Sequence, residues 1–372
     1  MHIFPLDLGY NIPMYKVSIE PHWRIARGKK PSMDTAMLLR LLGAIQSEGA
    51  ILQAARNLGL SYRHAWGLLR EAESLFGAPL LEKHRGRGTT LTHFATTLLW
   101  AERRIAARLS PTLESLSSEL ETELSKSVLG NNRSMRLCAS HGFAVSTLME
   151  SINHAELPIE LRYQNSMESI AALAQGDCEI AGFHLPVGVY EDSVLQLYLR
   201  FLSPEDHCLI HLANLKQGLM IARGNPKRIL SFQDLTRPDV RFVNRQIGSS
   251  TRRVLEILLQ KNRIDSGDIN GFETAEFTHA AVAAYIASNM ADVGFGVETA
   301  AHRFGLDFVP LVEERYFFAV AKETLESNTL KEMLGIIRSD EYMHEVNQLG
   351  GYDATETGEI LTVDEVFKLA DA

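Results

Sequence analysis

Between Gly49 and Thr92 the chain follows an order of turn, cap and apolar stripe that very few folds accommodate. Residues 50–58 predict a short helix with small side chains where a second helix must lie close. Gly59 supplies the left-handed dihedral of a tight turn. Leu60 is an apolar pin between the two helices, and Ser61 is a good N-cap. The next helix runs from Tyr62 to about Phe76, with Leu68, Leu69, Ala72, Leu75 and Phe76 at helical spacing, until Gly77-Ala78-Pro79 stops it. Two short strands, 80–83 and 89–92, then flank a basic tip, His84-Arg85-Gly86-Arg87-Gly88. This is the order of a winged helix-turn-helix. In such a unit Ser61, Tyr62, Arg63, His64, Trp66 and Arg70 face base edges in a major groove, while Arg85 and Arg87 of the wing reach phosphate or the minor groove. A helical hairpin with a solvated basic loop explains the charge, but not the agreement of turn, cap, stripe and wing.

The charge is divided along the chain. The whole is acidic, with a formal net charge of −9, which argues against nucleic acid as a partner. Residues 1–110, however, hold 15 Lys and Arg against 8 Asp and Glu, and the remainder holds 22 against 38. A basic head can bind phosphates while an acidic body limits non-specific sticking.

At 372 residues the chain has material for two to three domains. Cys138, Cys178 and Cys208 are odd in number and lack metal spacing, as suits a reducing compartment. The first residues offer neither a basic region nor an apolar one of signal-peptide type, and no apolar run reaches membrane-spanning length. A cytoplasmic protein is expected, with no membrane partner.

Residues 1–33 read as irregular, with a strand over 15–25 that feeds Arg24, Arg27, Lys29 and Lys30 toward the head. A helix over 34–46, capped by Asp34, carries Met37, Leu38, Leu41, Leu42 and Ile45. After the wing, residues 92–124 repeat Leu98, Ile105, Leu109, Leu113, Leu116, Leu120 and Leu124 at three-, four- or seven-residue spacing. Such a stripe projecting from a small domain predicts a partner helix, and a homodimer or homotetramer matches two-fold operators. Pro111 either starts a second helix behind a Ser110 cap or kinks a single one. Residues 129–134 have linker composition.

From about 135 the chain alternates strands (135–139, 159–163, 178–183, 241–244, 291–295) with helices (143–153, 167–175, 251–261, 278–289), the order of an α/β domain with largely parallel sheets. Stretches 217–222 and 316–321 are strand-like where the chain could cross between two lobes. Ligands in such sheets bind at the carboxyl ends of strands.

One strand end carries the strongest chemical signal. After Arg241-Phe242-Val243-Asn244-Arg245, Gly248 lets the backbone bend, and Ser249, Ser250 and Thr251 open a helix. Free N–H groups, hydroxyls and the positive end of the helix dipole suit a small anion, to which Arg245 or Arg252 adds charge. Simple capping by Ser249 is the competing reading. Ser140-His141-Gly142, Phe183-His184 and Thr278-His279 repeat the pattern more weakly at other strand ends.

Enzyme signatures are missing: the sequence has no G-x-x-x-x-G-K-[ST], H-E-x-x-H, C-x-x-C or G-x-S-x-G. In His207-Cys208-Leu209-Ile210-His211 a strand turns Cys208 away from the two histidines, so no metal is expected there. No cofactor and no catalytic residue is expected either.

The residues also carry a resemblance. Residues 16–124, with Ile19-Glu20-Pro21-His22-Trp23-Arg24, Leu60-Ser61-Tyr62-Arg63-His64-Ala65-Trp66 and Arg85-Gly86-Arg87-Gly88, resemble the winged helix-turn-helix of ModE-type and LysR-type regulators. Residues from about 135 to 350 resemble the periplasmic-binding-protein-like domain attached to such heads or to molybdopterin biosynthesis proteins. The matching motifs are Phe242-Val243-Asn244-Arg245-Gln246, Gly248-Ser249-x-Thr251-Arg252, Ala291-Asp292-Val293-Gly294 and Gly305-Leu306-Asp307-Phe308-Val309-Pro310. Two positions depart from the pattern: Ser250 stands where it favours glycine, and Ala50 where such heads often have serine. The resemblance implies a two-lobed sensor closing on a small ligand such as molybdate, tungstate or formate.

The expectation is a multi-domain α/β chain. Residues 1–91 form the winged head and 92–128 a linker helix for dimerisation. Residues 129–372 form a two-lobed effector domain, with lobe I at about 135–205 and 316–350 and lobe II at about 206–315. DNA contacts fall on Ser61, Tyr62, Arg63, Trp66, Arg70, Arg85 and Arg87. The ligand site falls on Ser140, His141, Phe183, His184, Arg245, Gly248, Ser249, Ser250, Thr251, Arg252, Thr278 and His279. A one-component transcription regulator is the function expected. The rival is a small-anion carrier or storage protein, or one related to molybdenum-cofactor synthesis, with a basic assembly domain.

Overall fold

The computed structural model describes residues 15–28, 31–84, 88–129, 134–188 and 191–367. In the head, β1 (Arg24–Ile25) pairs antiparallel with β2 (Met33–Asp34), and α1 (Ala36–Glu48), α2 (Ile51–Asn57) and α3 (Tyr62–Phe76) pack on one core. β3 (Leu81–His84) and β4 (Gly88–Leu91) form the wing. Leu38, Leu42, Ile45, Ala54, Ala65, Leu69 and Ala72 are fully buried in that core. Small residues at 54, 65 and 72 are what let the helices approach closely.

Two local features differ from the sequence reading. The strand expected over 15–25 is only Arg24–Ile25, and the stretch before it runs along the linker helix, where the Val17 amide donates to Glu121 Oε1 at 2.7 Å. The first helix is capped at Thr35 rather than Asp34. Thr35 is buried, donating to the Trp23 carbonyl at 3.0 Å, while Asp34 Oδ1 accepts from the Ala36 amide. Ala50 caps α2 with no side-chain acceptor, the contact that a serine there supplies.

A single helix, α4 (His93–Leu129), leaves the head and continues through Pro111. Beyond it lie β5 (Met135–Ala139), α5 (Phe143–His154), β6 (Ile159–Tyr163), α6 (Ser166–Gln175), β7 (Ile180–Pro186), α7 (Glu191–Tyr198) and β8 (His207–Ile221). Next come β9 (Phe242–Arg245), α8 (Ser250–Lys261), β10 (Ala275–Glu276), α9 (His279–Ala287), β11 (Val293–Val297), α10 (Glu298–Arg303) and β12 (Asp307–Ala321). The chain closes with α11 (Asn328–Ile337), α12 (Asp340–Asn347), β13 (Tyr352–Asp353), β14 (Ile360–Thr362) and α13 (Val363–Phe367).

The sheet runs β10-β9-β11-β8-β12-β7-β5-β6, with β13 and β14 also on β8. β5 pairs in parallel with β6 and β7 in one lobe, and β9 does so with β10 and β11 in the other. The 15-residue strands β8 and β12 pair antiparallel along their whole length and belong to both lobes. β11 adds to the end of this ribbon at Gln217–Ile221, while β7 pairs with β12 over residues 314–320. Register shifts at Pro310/Val312 and Tyr316/Phe317 bracket the passage between lobes. The passage therefore lies near 214–217 and 312–316. The first half of β8 packs in lobe I, with Cys208, Ile210, Leu212 and Ala213 in its core, although lobe II was expected to begin at about 206. Lobe I also extends past 350, because β14 and α13 pack on it.

Candidate functional site

Four strands deliver the chain to the cleft between the lobes, and a helix starts at or just after each of their carboxyl ends. α5 follows β5 through Ser140-His141-Gly142, and α6 follows β6 through Gln164 and Asn165. α8 follows β9 through residues 246–249, and α9 follows β10 through Phe277 and Thr278. Ser249 caps α8, accepting from the Arg252 amide at 3.2 Å, and Asn165 caps α6 in a reciprocal box with Glu168. All four helices turn their positive ends toward one cavity of about 380 Å³. Ser140, His141, His184, Arg245, Ser249, Ser250, Thr251 and His279, all expected from the sequence, line it.

Arg245 is 8% exposed. Its Nη2 donates to the Phe277 carbonyl at 2.9 Å, and its Nε and Nη1 are buried with no partner among the described residues. Burial lowers its pKa to about 10, with the Glu314 carboxylate opposing, so the group is a cation at neutral pH. The imidazoles of His141 and His279 beside it are uncharged. Burial, then Arg245 and Arg303, push His141 down to about 4. Burial, then Arg245, His184 and His141, push His279 well below its ordinary value. His279 Nε2 lies 3.5 Å from Thr251 Oγ1. A buried guanidinium with two free donors, under four helix N-termini, is an arrangement whose physics suits an anion.

Some expected ligand residues face elsewhere. Phe183 is fully buried on the opposite face of β7, ring to ring with Tyr198 and Phe317; alternation along the strand turns only its neighbour His184 inward. Arg252 is paired with Glu256 at 3.0 Å and Glu273 at 3.2 Å, lies over Phe272, and lines a neighbouring cavity rather than this one. Gly248, at φ 89°, makes the turn and lines a neighbouring cavity. Thr278 caps α9 and donates to the Ala107 carbonyl at 3.0 Å.

That last contact explains Pro111. Proline has no N–H for the carbonyl four residues back, so Ala107 is left without its helical donor, and Thr278 supplies one. On the same side Arg108 makes a bidentate pair with Glu276, and Arg108, Pro111 and Thr112 form part of the cavity wall. Beyond Pro111 the helix holds lobe I instead. Ser115 and Ser118 accept from the Tyr163 and Leu161 amides of edge strand β6, at 2.9 and 2.8 Å, and Glu114 lies 3.9 Å from His141. The linker helix thus bridges both lobes across the cleft mouth. Gln217, Glu314 and Arg108 carry no local motif and were not expected from the sequence.

The head presents a second surface. Ser61 accepts from the His64 amide at 3.1 Å, which fixes the start of α3. Tyr62, Arg63, His64 and Arg70 are exposed, and Trp66 is half-buried, with its ring edge-on to Tyr62 and beneath Arg70. The wing is tied to the α1–α2 turn by the Thr89 amide on the Gly49 carbonyl at 2.8 Å. Arg85 and Arg87 lie outside the described residues.

Residues 149–338 match the PBP superfamily domain, half of the chain. The chain belongs to that superfamily. Residues 37–96 match the bacterial regulatory helix-turn-helix protein, lysR family, so the PBP body carries a lysR-type head. An uncharacterized protein of Bacillus subtilis, YvgK, is 34% identical over 209 residues, covering 55% of this chain and 66% of its own. The molybdenum transport protein ModE of Azotobacter vinelandii is 25% identical, covering 38% of this chain and 56% of its own. The chain therefore spans about two thirds or less of these relatives' lengths. Among solved structures, a peroxide-bound OxyR mutant of Corynebacterium glutamicum aligns over 84% of this chain and 94% of its own, at 14% identity and a TM-score of 0.43. Among the described residues no helix is long and apolar enough to cross a membrane.

Proposed function

We propose that the protein is a one-component transcription regulator. The lysR-type head binds an operator, the PBP cleft binds a small anion, and α4 conveys the state of the cleft to the head without any catalytic step. The observation that carries the anion reading is Arg245, buried and charged with two donors unpartnered beneath four helix N-termini. Leaving such donors unpaired costs about 1–3 kcal/mol apiece, and an acceptor in the cleft removes that cost. Molybdate, tungstate and formate are the first ligands to test.

Because α4 holds lobe II before Pro111 and lobe I after it, closure of the cleft moves the two holding points relative to each other. The helix bends most easily where Pro111 has already removed a backbone bond. Leu109, Leu116, Leu120 and Leu124, each 38–44% exposed, lie along this helix at three-, four- or seven-residue spacing and support pairing with a second copy, as a dimer or dimer of dimers.

The test is a thermal-shift series on the full chain with molybdate, tungstate and formate, comparing wild type with Arg245→Met. The expected result is a concentration-dependent rise in Tm for wild type alone. No shift with any of the three, or the same shift in the variant, rejects Arg245 as their anchor.

A further inference from the structure

The cleft holds a buried acid as well as a buried base. Glu314, on β12 at the passage between lobes, is 0% exposed. Its Oε2 accepts from Gln217 Nε2 and lies 3.3 Å from His184 Nδ1, while its Oε1 and Gln217 Oε1 have no donor among the described residues. Glu314 lines a second cavity of about 280 Å³, whose wall includes Met167, Leu197, Ile247 and Val254. The two cavities share Ser166, His184, Ser249 and Ser250 in their walls, so they lie side by side.

Two properties of this arrangement restrict the ligand, both resting on the reading of the cleft as an anion site. The first is charge. The buried Arg245 guanidinium is matched by the buried carboxyl group of Glu314, the buried Arg252 that also lines the second cavity is paired with Glu256 and Glu273, and burial keeps the imidazoles of His141 and His279 uncharged, so cationic and acidic side chains balance in the site. A bare oxyanion satisfies Arg245 but leaves Glu314 Oε1 without a donor, and it adds negative charge beside a buried carboxylate. The second is space. Each cavity is several times larger than the roughly 30 Å³ of one water, more than a tetrahedral or planar oxyanion fills. An apolar wall next to the unpartnered acceptor suits a carbon skeleton, which an inorganic anion lacks.

We propose that the ligand is an organic anion whose apolar skeleton also carries a cationic or N–H donor group, with Arg245 taking the anionic end and Glu314 the donor end. The unpartnered donors of Arg245 and the unpartnered Glu314 Oε1 are then paired by one molecule, and the ligand links β9 of lobe II to the β12 passage.

Matched probes test this on the full chain by titration calorimetry: butyrate against γ-aminobutyrate, hexanoate against ε-aminohexanoate, and benzoate against its para-aminomethyl derivative. At least one amino member is expected to bind about tenfold more tightly than its partner, about 1.4 kcal/mol. Glu314→Gln brings that pair to within about twofold, and Arg245→Met removes binding of both. Equal affinities in every pair, weaker binding of the amino members, or no binding of any amino member overturns the proposal. So does a Glu314→Gln variant that keeps the preference. Arg245-dependent binding of molybdate alongside such a failure leaves the anion site standing and refutes only the donor subsite.

Discussion

Removing the Arg108 guanidinium tests whether α4 is held to lobe II by the pair described above. Glu276 is fully buried and Arg108 is 42% exposed, with Nε to Oε2 at 2.5 Å and Nη2 on the other carboxylate oxygen. The hydrogen bond to Glu276 is the main reason the Arg108 pKa stands above its ordinary value. Exposed pairs contribute about 0.2–1 kcal/mol, whereas breaking a buried one costs about 3–5 kcal/mol. A pair with one buried and one half-open member falls between, at about 2 kcal/mol for Arg108→Met, most of it from leaving the carboxylate unpaired. Glu276→Gln keeps a neutral acceptor in place and costs about 1 kcal/mol. For a body of this size 2 kcal/mol corresponds to a Tm loss of roughly 4–8 °C. The assay is a double-mutant cycle on the full chain by scanning calorimetry, where the two single losses fail to add by about 1 kcal/mol. Strict additivity, or a loss under about 1 °C for Arg108→Met, refutes the claim that this pair clamps the linker to the lobe.

Three further outcomes are expected. The pKa values of His141 and His279 are depressed in the folded chain, so the unfolded chain takes up protons first as the pH falls through about 6.5. Stability contributed above that pH is lost on acidification toward 4, at up to about 1.4 kcal/mol per pH unit for each histidine; calorimetry from pH 7 to 5 should show a shallower slope in His279→Asn. Leu116→Glu with Leu120→Glu places charge on the exposed stripe and should convert a dimer to a monomer by light scattering, whereas an unchanged mass places the interface elsewhere. Arg63→Ala should weaken binding and alter base preference in gel shifts, while Arg87→Ala should weaken binding uniformly; no change in either variant removes α3 and the wing from the interface.

The head was legible because its determinants are local. Gly59, Ser61, Gly77 and the 69-72-75 stripe each fix structure within a few residues, and α3 begins and ends where they place it. Much of the cleft was legible for the same reason, since strand ends followed by hydroxyls announce helix N-termini. Reading strand ends without strand alternation brought in Phe183, which the pleat turns away from His184. Thr278 looked like a ligand contact because nothing local shows that Pro111, 167 positions earlier in the chain, leaves a carbonyl in need of its hydroxyl. Glu314 and Gln217 sit inside 15-residue strands with no motif around them, so only the pairing of β8 with β12 brings them together.

The central claim is that cleft and head are coupled, and DNA affinity measured with and without ligand addresses it most directly. Duplexes selected by the full chain from a random library are titrated by fluorescence anisotropy, alone and with a saturating concentration of the anion that raises Tm. A change in Kd of at least about fivefold is expected, a coupling near 1 kcal/mol. The change should vanish in Arg245→Met. Identical Kd values with and without a bound anion contradict that coupling.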